Sequence, residues 1–265
     1  MAKPAQIRPI KESKHTFIGL YGDPGCGKTT FAGSFGKGTL IVRPPIDHTD
    51  SIVGSGADEW VVHSWDDMLE VQEFARHEGG KEYEWIWLDS VSLWQDVGMD
   101  DIWQGVIAQN PHRLKAFYDR GEYRINMGRI SEWVRYMIGN DTFNFGFTAH
   151  PFWATFRENQ GEGDDVTKLM PWIQGKSMPQ KLCGMMSLVA YMTVHKRKEG
   201  GSLYRKMSFH GTENFYAKDG LGAFPKGFVI NPTLPSVAMA ADAARKAKQA
   251  NVRPMVRRRT RRTAT

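Results

Sequence analysis

Eight consecutive residues, Gly22-Asp23-Pro24-Gly25-Cys26-Gly27-Lys28-Thr29, follow the pattern G-x-x-x-x-G-K-[ST]. Glycines at these positions let successive backbone N–H groups curl around a polyphosphate with no Cβ in the way. The Lys28 ammonium then reaches the β- and γ-phosphates, and the Thr29 hydroxyl sits on Mg²⁺. Thr30 carries the loop into a helix whose positive end faces the anion. These residue types predict a nucleoside triphosphate site with Mg²⁺. Cys26 reads as a small residue at a variable position of the loop.

Two further polar groups close apolar runs. Glu84-Trp85-Ile86-Trp87-Leu88-Asp89-Ser90 ends on a single aspartate. At the carboxyl end of a parallel strand, Asp89 faces the ligand crevice and holds Mg²⁺ directly or through water. Capping the next helix is its plainer role, compatible with the first. Phe143-Asn144-Phe145-Gly146-Phe147-Thr148-Ala149 ends at His150. There a polar ring senses the γ-phosphate and relays its presence to the loop that follows. A histidine merely satisfied by hydrogen bonds is the alternative.

The elements that must position these groups follow from periodicity and breakers. Strands are expected at 16–21, 39–43, 60–63, 84–90 and 143–149. Helices are expected after the loop, from Trp65 to His77 with a Ser64 cap and Met68, Leu69, Val71, Phe74 and Ala75 inward, from Val91 to Gln104, and from Asn126 to Ile138. Residues 105–125 read as irregular and 151–180 as one long loop. Leu188–Val194 and Leu203–Phe209 read as a hairpin around Glu199-Gly200-Gly201. An alanine-rich helix runs from Ser236 to about Ala250.

The 265 residues suffice for one substantial domain, and the net charge of +6 is unevenly spread. From Arg245 onward there are nine Lys/Arg and no acid, so the remaining 26 basic residues face all 29 acids. Two cysteines, Cys26 and Cys183, are too few for a zinc site and point to a reducing, cytoplasmic setting. No run approaches the ~20 apolar residues of a membrane span. The N-terminus lacks a signal-peptide apolar core.

On Gly22–Thr29, the strand ending Leu88-Asp89-Ser90, the strand ending Thr148-Ala149-His150 and the late Tyr216-Ala217-Lys218-Asp219, the chain resembles RecA-like P-loop ATPases. More closely it resembles the phage AAA ATPases of the single-strand annealing or recombination type. That the nucleotide is ATP is implied by this resemblance. The resemblance implies an α/β fold: a RecA-like P-loop NTPase core over 16–235 with a mostly parallel central sheet and a C-terminal β-hairpin region. A lead-in (1–15) precedes it, and a helix with a basic tail (236–265) follows. Ser90 beside Asp89, where other P-loop classes carry a glutamate, moves the water-positioning acid elsewhere. By resemblance that acid is Asp47, with Asp50 as the alternate. A trans lysine or arginine at the γ-phosphate is implied, with Lys218 as candidate, and hence a homo-oligomer, ring or filament. The host cytoplasm is the implied location for a phage-encoded protein.

Single-stranded DNA is the implied partner, with a single-strand-binding protein as a further one. The loop after His150 offers Phe152, Trp153 and Phe156 for stacking and Arg157 for phosphate; the alternative is that these rings pack the loop on the core. The tail arginines Arg253, Arg257, Arg258, Arg259, Arg261 and Arg262 repel one another until a polyanion neutralises them. Rival readings are a DNA-dependent motor or helicase-type ATPase, a small-molecule P-loop kinase, and a DNA-binding module that binds ATP without hydrolysing it.

Overall fold

The computed structural model describes residues 14–113, 118–139, 142–157, 165–197 and 200–251. The N-terminal lead-in and the tail arginines Arg253, Arg257, Arg258, Arg259, Arg261 and Arg262 lie outside the described residues.

The central sheet is organised by β1 (Phe17–Gly22), whose residues from Ile18 on are fully buried. It pairs in parallel with β5 (Asn144–Ala149) on one side and β8 (Leu188–Lys196) on the other. Beyond β5 lie β4 (Trp85–Leu88), β2 (Thr39–Arg43) and β3 (Asp58–Val61), all parallel. Beyond β8 the sheet turns antiparallel through β9 (Leu203–Ser208) and β11 (Phe228–Ile230), and the two-residue β10 (Lys218–Asp219) pairs with β8. The order is β11-β9-β8-β1-β5-β4-β2-β3. A parallel sheet covered on both faces needs near-continuous apolar strands, and Trp85-Ile86-Trp87-Leu88 is buried throughout.

Strand alternation divides the core in two. Ile18, Leu20, Ile41, Trp85, Trp87, Ala190 and Met192 face α1 (Lys28–Gly33) and α7 (Leu234–Asn251). Tyr21, Val42, Ile86, Leu88, Phe145, Phe147 and Val189 face the other way, toward α2 (Trp65–Phe74), α4 (Val91–Gln109), α5 (Arg120–Ile138) and α6 (Met178–Met185). Helix α2 passes through a π-helical turn, Ala75–Gly79, into α3 (Gly80–Glu82). A tryptophan cluster locks this layer. Trp65 stacks on Trp94 at 5.4 Å, Trp94 meets Trp133 at 5.1 Å, and the Trp133 indole donates to the Met68 carbonyl at 2.8 Å.

Three expectations need correction. The segment read as irregular is mostly helical: α4 runs to Gln109, and α5 starts at Arg120 instead of Asn126. The cause is a reciprocal cap, in which the Asp119 carboxylate accepts from Gly121 and Glu122 N–H while Glu122 accepts from Asp119 N–H. The long loop 151–180 is instead a β-hairpin, β6 (Pro151–Arg157) with β7 (Asp165–Pro171), followed by α6. Its strands pair with each other in a sheet of their own, while the glycine- and acid-rich stretch between them read as a loop. Leu69, expected inward, is 44% exposed; Ser64 caps α2 as expected, and Met68 and Val71 take the buried stripe.

Candidate nucleotide site

The loop leaving β1 has the backbone the glycines predict. Gly25 and Gly27 hold φ of 77° and 100°, the left-handed region that side chains disfavour. A Cβ on Gly22 would collide with the Met192 carbonyl and the Cys26 sulfur, and one on Gly27 would collide with the Arg205 guanidinium. Lys28 is buried, with its ammonium donating to the Gly22 and Asp23 carbonyls at 2.8 and 3.1 Å. Gly25, Gly27, Lys28, Thr29, Thr30, Ser51 and Arg205 line a pocket of about 260 Å³ over this loop.

Asp89 closes the floor of the site. Parallel pairing sets Leu88 against Phe147, which brings the next residue, Asp89, to Thr148. The Thr148 hydroxyl donates to the Asp89 carboxylate, and the Thr29 hydroxyl hydrogen-bonds it as well. Burial pushes the Asp89 carboxyl above the usual carboxylate range; nearby Asp47 adds to the rise, and the two hydroxyls and Lys28 oppose it. A hydroxyl and a carboxylate side by side supply two hard oxygen ligands. That fits a divalent ion that shares its shell with phosphate oxygens and waters. Among the described residues no group of three or more His, Cys, Asp or Glu is placed to hold a metal ion.

The other predicted residues sort clearly. Asp47 lies at the mouth of the site on the turn after β2, where the Arg43 guanidinium holds its backbone carbonyl at 2.8 Å; Arg43 is itself paired to Glu59 at 2.8 Å. Asp50 begins an exposed 3₁₀ turn, Asp50–Ile52. His150 is half-buried. Burial and the Lys28 charge lower its pKa, and the Asp89 charge works against them, so the ring is within electrostatic reach of both site residues. Lys218 is engaged elsewhere: its ammonium donates to the Gly184 and Met186 carbonyls at 2.9 and 2.8 Å, capping the end of α6. A γ-phosphate role for Lys218 would require breaking both bonds.

The hairpin after His150 is rooted at the site. His150 N–H donates to Ser92 Oγ at 2.9 Å, Ser92 Oγ–H donates to the Trp172 carbonyl at 2.8 Å, and Trp172 N–H donates to the His150 carbonyl at 2.7 Å. Ser92 is fully buried three residues after Asp89, so both ends of the hairpin are tied beside the Asp89 carboxylate. Of its aromatics, Phe152 and Phe156 pack on the core, and Trp153 is 58% exposed. Arg157 ends β6 opposite Asp165.

Sequence reasoning missed Arg205, Thr148 and Ser92. Arg205 lies 179 residues from Cys26, whose carbonyl accepts from its Nε at 3.0 Å. Only the β8–β9 register, Val194 opposite Arg205, brings it to the loop. Thr148 was legible in principle, because it follows by one residue the strand position that pairs with Leu88.

A phosphate-cradling loop, a buried acid two strands along the sheet and this strand order define a P-loop nucleoside triphosphatase of RecA-like fold. The chain belongs to the AAA domain family AAA_24, whose model matches residues 14–221. No curated protein matches the sequence. Among solved structures it is similar to the RadB recombinase, with 11% identity over 73% of this chain and 79% of that one at a TM-score of 0.42. It is also similar to a KaiC-like protein from Pyrococcus horikoshii OT3, with 12% identity over 82% and 89% at 0.43. A third is the flagellar accessory protein FlaH from Methanocaldococcus jannaschii, with 9% identity over 82% and 90% at 0.36. Likenesses this distant bear on no function. Among the described residues no helix is long and apolar enough to cross a membrane.

Proposed function

We propose that the protein hydrolyses ATP with Mg²⁺ and couples the nucleotide state to single-stranded DNA, in phage recombination or annealing. The observation that carries this reading is the Ser92 junction, which ties both ends of the β6–β7 hairpin beside Asp89. A nucleotide-dependent shift at Asp89 or His150 is thereby transmitted to a projecting element that carries an exposed Trp153.

The geometry supports the following assignment of roles. Backbone N–H groups of Gly25–Thr29 receive the phosphates, and Lys28 moves from the loop carbonyls to the β- and γ-oxygens. Thr29 and Asp89 hold the ion, which when bound neutralises charge on the β- and γ-phosphates. Asp47 orients the attacking water, and its side chain, one methylene shorter than a glutamate, accords with slow turnover. His150, kept neutral by its surroundings, reports the γ-phosphate to the hairpin. Arg205 supplies within the chain a cation at the loop, and Lys218 of a neighbouring copy remains the candidate for a trans cation in a homo-oligomer that would bind DNA along its length. A single-strand-binding protein is the partner that would present the DNA.

The test is ATP hydrolysis by purified protein with and without single-stranded DNA, alongside Lys28→Ala. The expected result is Mg²⁺-dependent turnover that DNA raises severalfold and Lys28→Ala abolishes. A fast turnover indifferent to DNA would point to the rival kinase reading. Absence of unwinding in a strand-displacement assay separates annealing from a helicase.

A further inference from the structure

The β8–β9–β11 edge has a second concave surface, on the sheet face away from α1. Strand alternation places Tyr191, Lys206 and Phe228 on this face. Together with His210, Phe215 and Lys226 they line an open groove of about 340 Å³. No aspartate or glutamate lines it, and neither lysine forms an ion pair among the described residues. Lys206 is held in place, with its ammonium 4.7 Å from the Phe228 ring centre, and Lys226 is exposed. The rings are also set in order, with Tyr191 and Phe215 at 5.0 Å. Cations without acids select an anion, and aromatic faces beside them select planar unstacked bases. Duplex DNA keeps its bases stacked inside and would not use the rings.

Position strengthens the case. Phe215 bridges to Leu169 of β7, and Leu169 is the strand partner of Trp153. The groove therefore adjoins the hairpin that is rooted at the nucleotide site. We propose that this groove is a binding site for single-stranded nucleic acid, with Lys206 and Lys226 on phosphates and Tyr191, Phe215 and Phe228 against bases. The proposal rests on the DNA reading above and assigns it a surface other than the hairpin loop or the arginine tail.

The test uses the full chain, a fluorescein-labelled oligo-dT and anisotropy titrations at several salt concentrations. Lys206→Glu with Lys226→Glu should weaken binding by about 30-fold or more. It should also flatten the log–log salt slope by about 1.4, since each lost phosphate contact on a single strand removes about 0.7. Phe228→Ala should weaken binding by about 5-fold or more with the slope unchanged, because stacking releases no counterions. Lys206→Arg with Lys226→Arg should bind as wild type, which excludes misfolding as the cause of a loss. Wild-type affinity and slope in the charge-reversed variant would overturn the groove while leaving the DNA reading intact. No oligo-dT binding by the wild-type chain would overturn both.

Discussion

The β8–β9 hairpin carries different chemistry on its two faces. Toward α1 it presents Val194, Leu203 and Arg205, and Arg205 closes onto the phosphate loop. On the opposite face it presents Tyr191, Thr193, His195 and Lys206, which border the basic groove. Adjacent residues of one strand thus face the phosphate loop on one side and, on the other, the groove proposed above for single-stranded nucleic acid. The difference lies in depth. The loop side is built from backbone donors and a buried Lys28, suited to a ligand that is enclosed. The groove side is open, with partly and fully exposed cations and rings, suited to a polymer that runs past.

Variants that damage one face and spare the other test this division. The largest effect is expected for Lys28→Ala, which should reduce ATP turnover by about 100-fold or more; steady-state phosphate release checks it. Asp89→Asn should reduce turnover by a comparable factor and raise thermal stability in the absence of nucleotide. The sign follows from the raised carboxyl pKa. A group whose folded pKa lies above its unfolded value stabilises the fold only when protonated, and that contribution is lost as pH rises through the folded pKa. At neutral pH the ionised Asp89 is therefore a burden that asparagine removes. Melting curves of both proteins from acid to neutral pH should converge at the acid end.

Arg205→Gln should come next, with about a 10-fold loss of affinity for a fluorescent ATP analogue, the scale of one charge-assisted hydrogen bond. Its nucleotide-free affinity for oligo-dT should stay within about twofold, since the guanidinium faces the loop. An Arg205→Gln protein that loses DNA binding as strongly as nucleotide binding would show that the two faces do not act separately. Ser92→Ala should have the smallest effect, a few-fold drop in the ratio of DNA-stimulated to basal hydrolysis. It removes the hydroxyl that joins His150 to Trp172.

What the sequence made legible was local. The Gly22–Thr29 loop, the strand ending at Asp89 and the strand ending at His150 each declare themselves within a few residues, and the fold places all three at one rim. Ser64 and its helix were read from a cap and a stripe. The rest depended on pairing across long separations. Arg205 looks like any strand arginine until β9 is set beside β8, and Lys218 resembles a free turn lysine until α6 ends beneath it. The β6–β7 hairpin escaped because its glycine- and acid-rich connection suggested a loop, while its strands pair with each other rather than with the sheet. Asp119 was passed over because Gly121 obscured the cap that starts α5.

The burial of both cysteines has a practical consequence. Cys26 is 3% exposed and Cys183 fully enclosed. Burial pushes the Cys26 thiol up, and carries Cys183 to about 12. Neither offers a thiolate at neutral pH, so the folded protein is close to inert toward maleimides and alkylating reagents. A cysteine introduced at the exposed Trp153 position would then react almost alone. The wild-type background is ready-made for attaching a dye to the hairpin and following its response to nucleotide without first deleting native thiols.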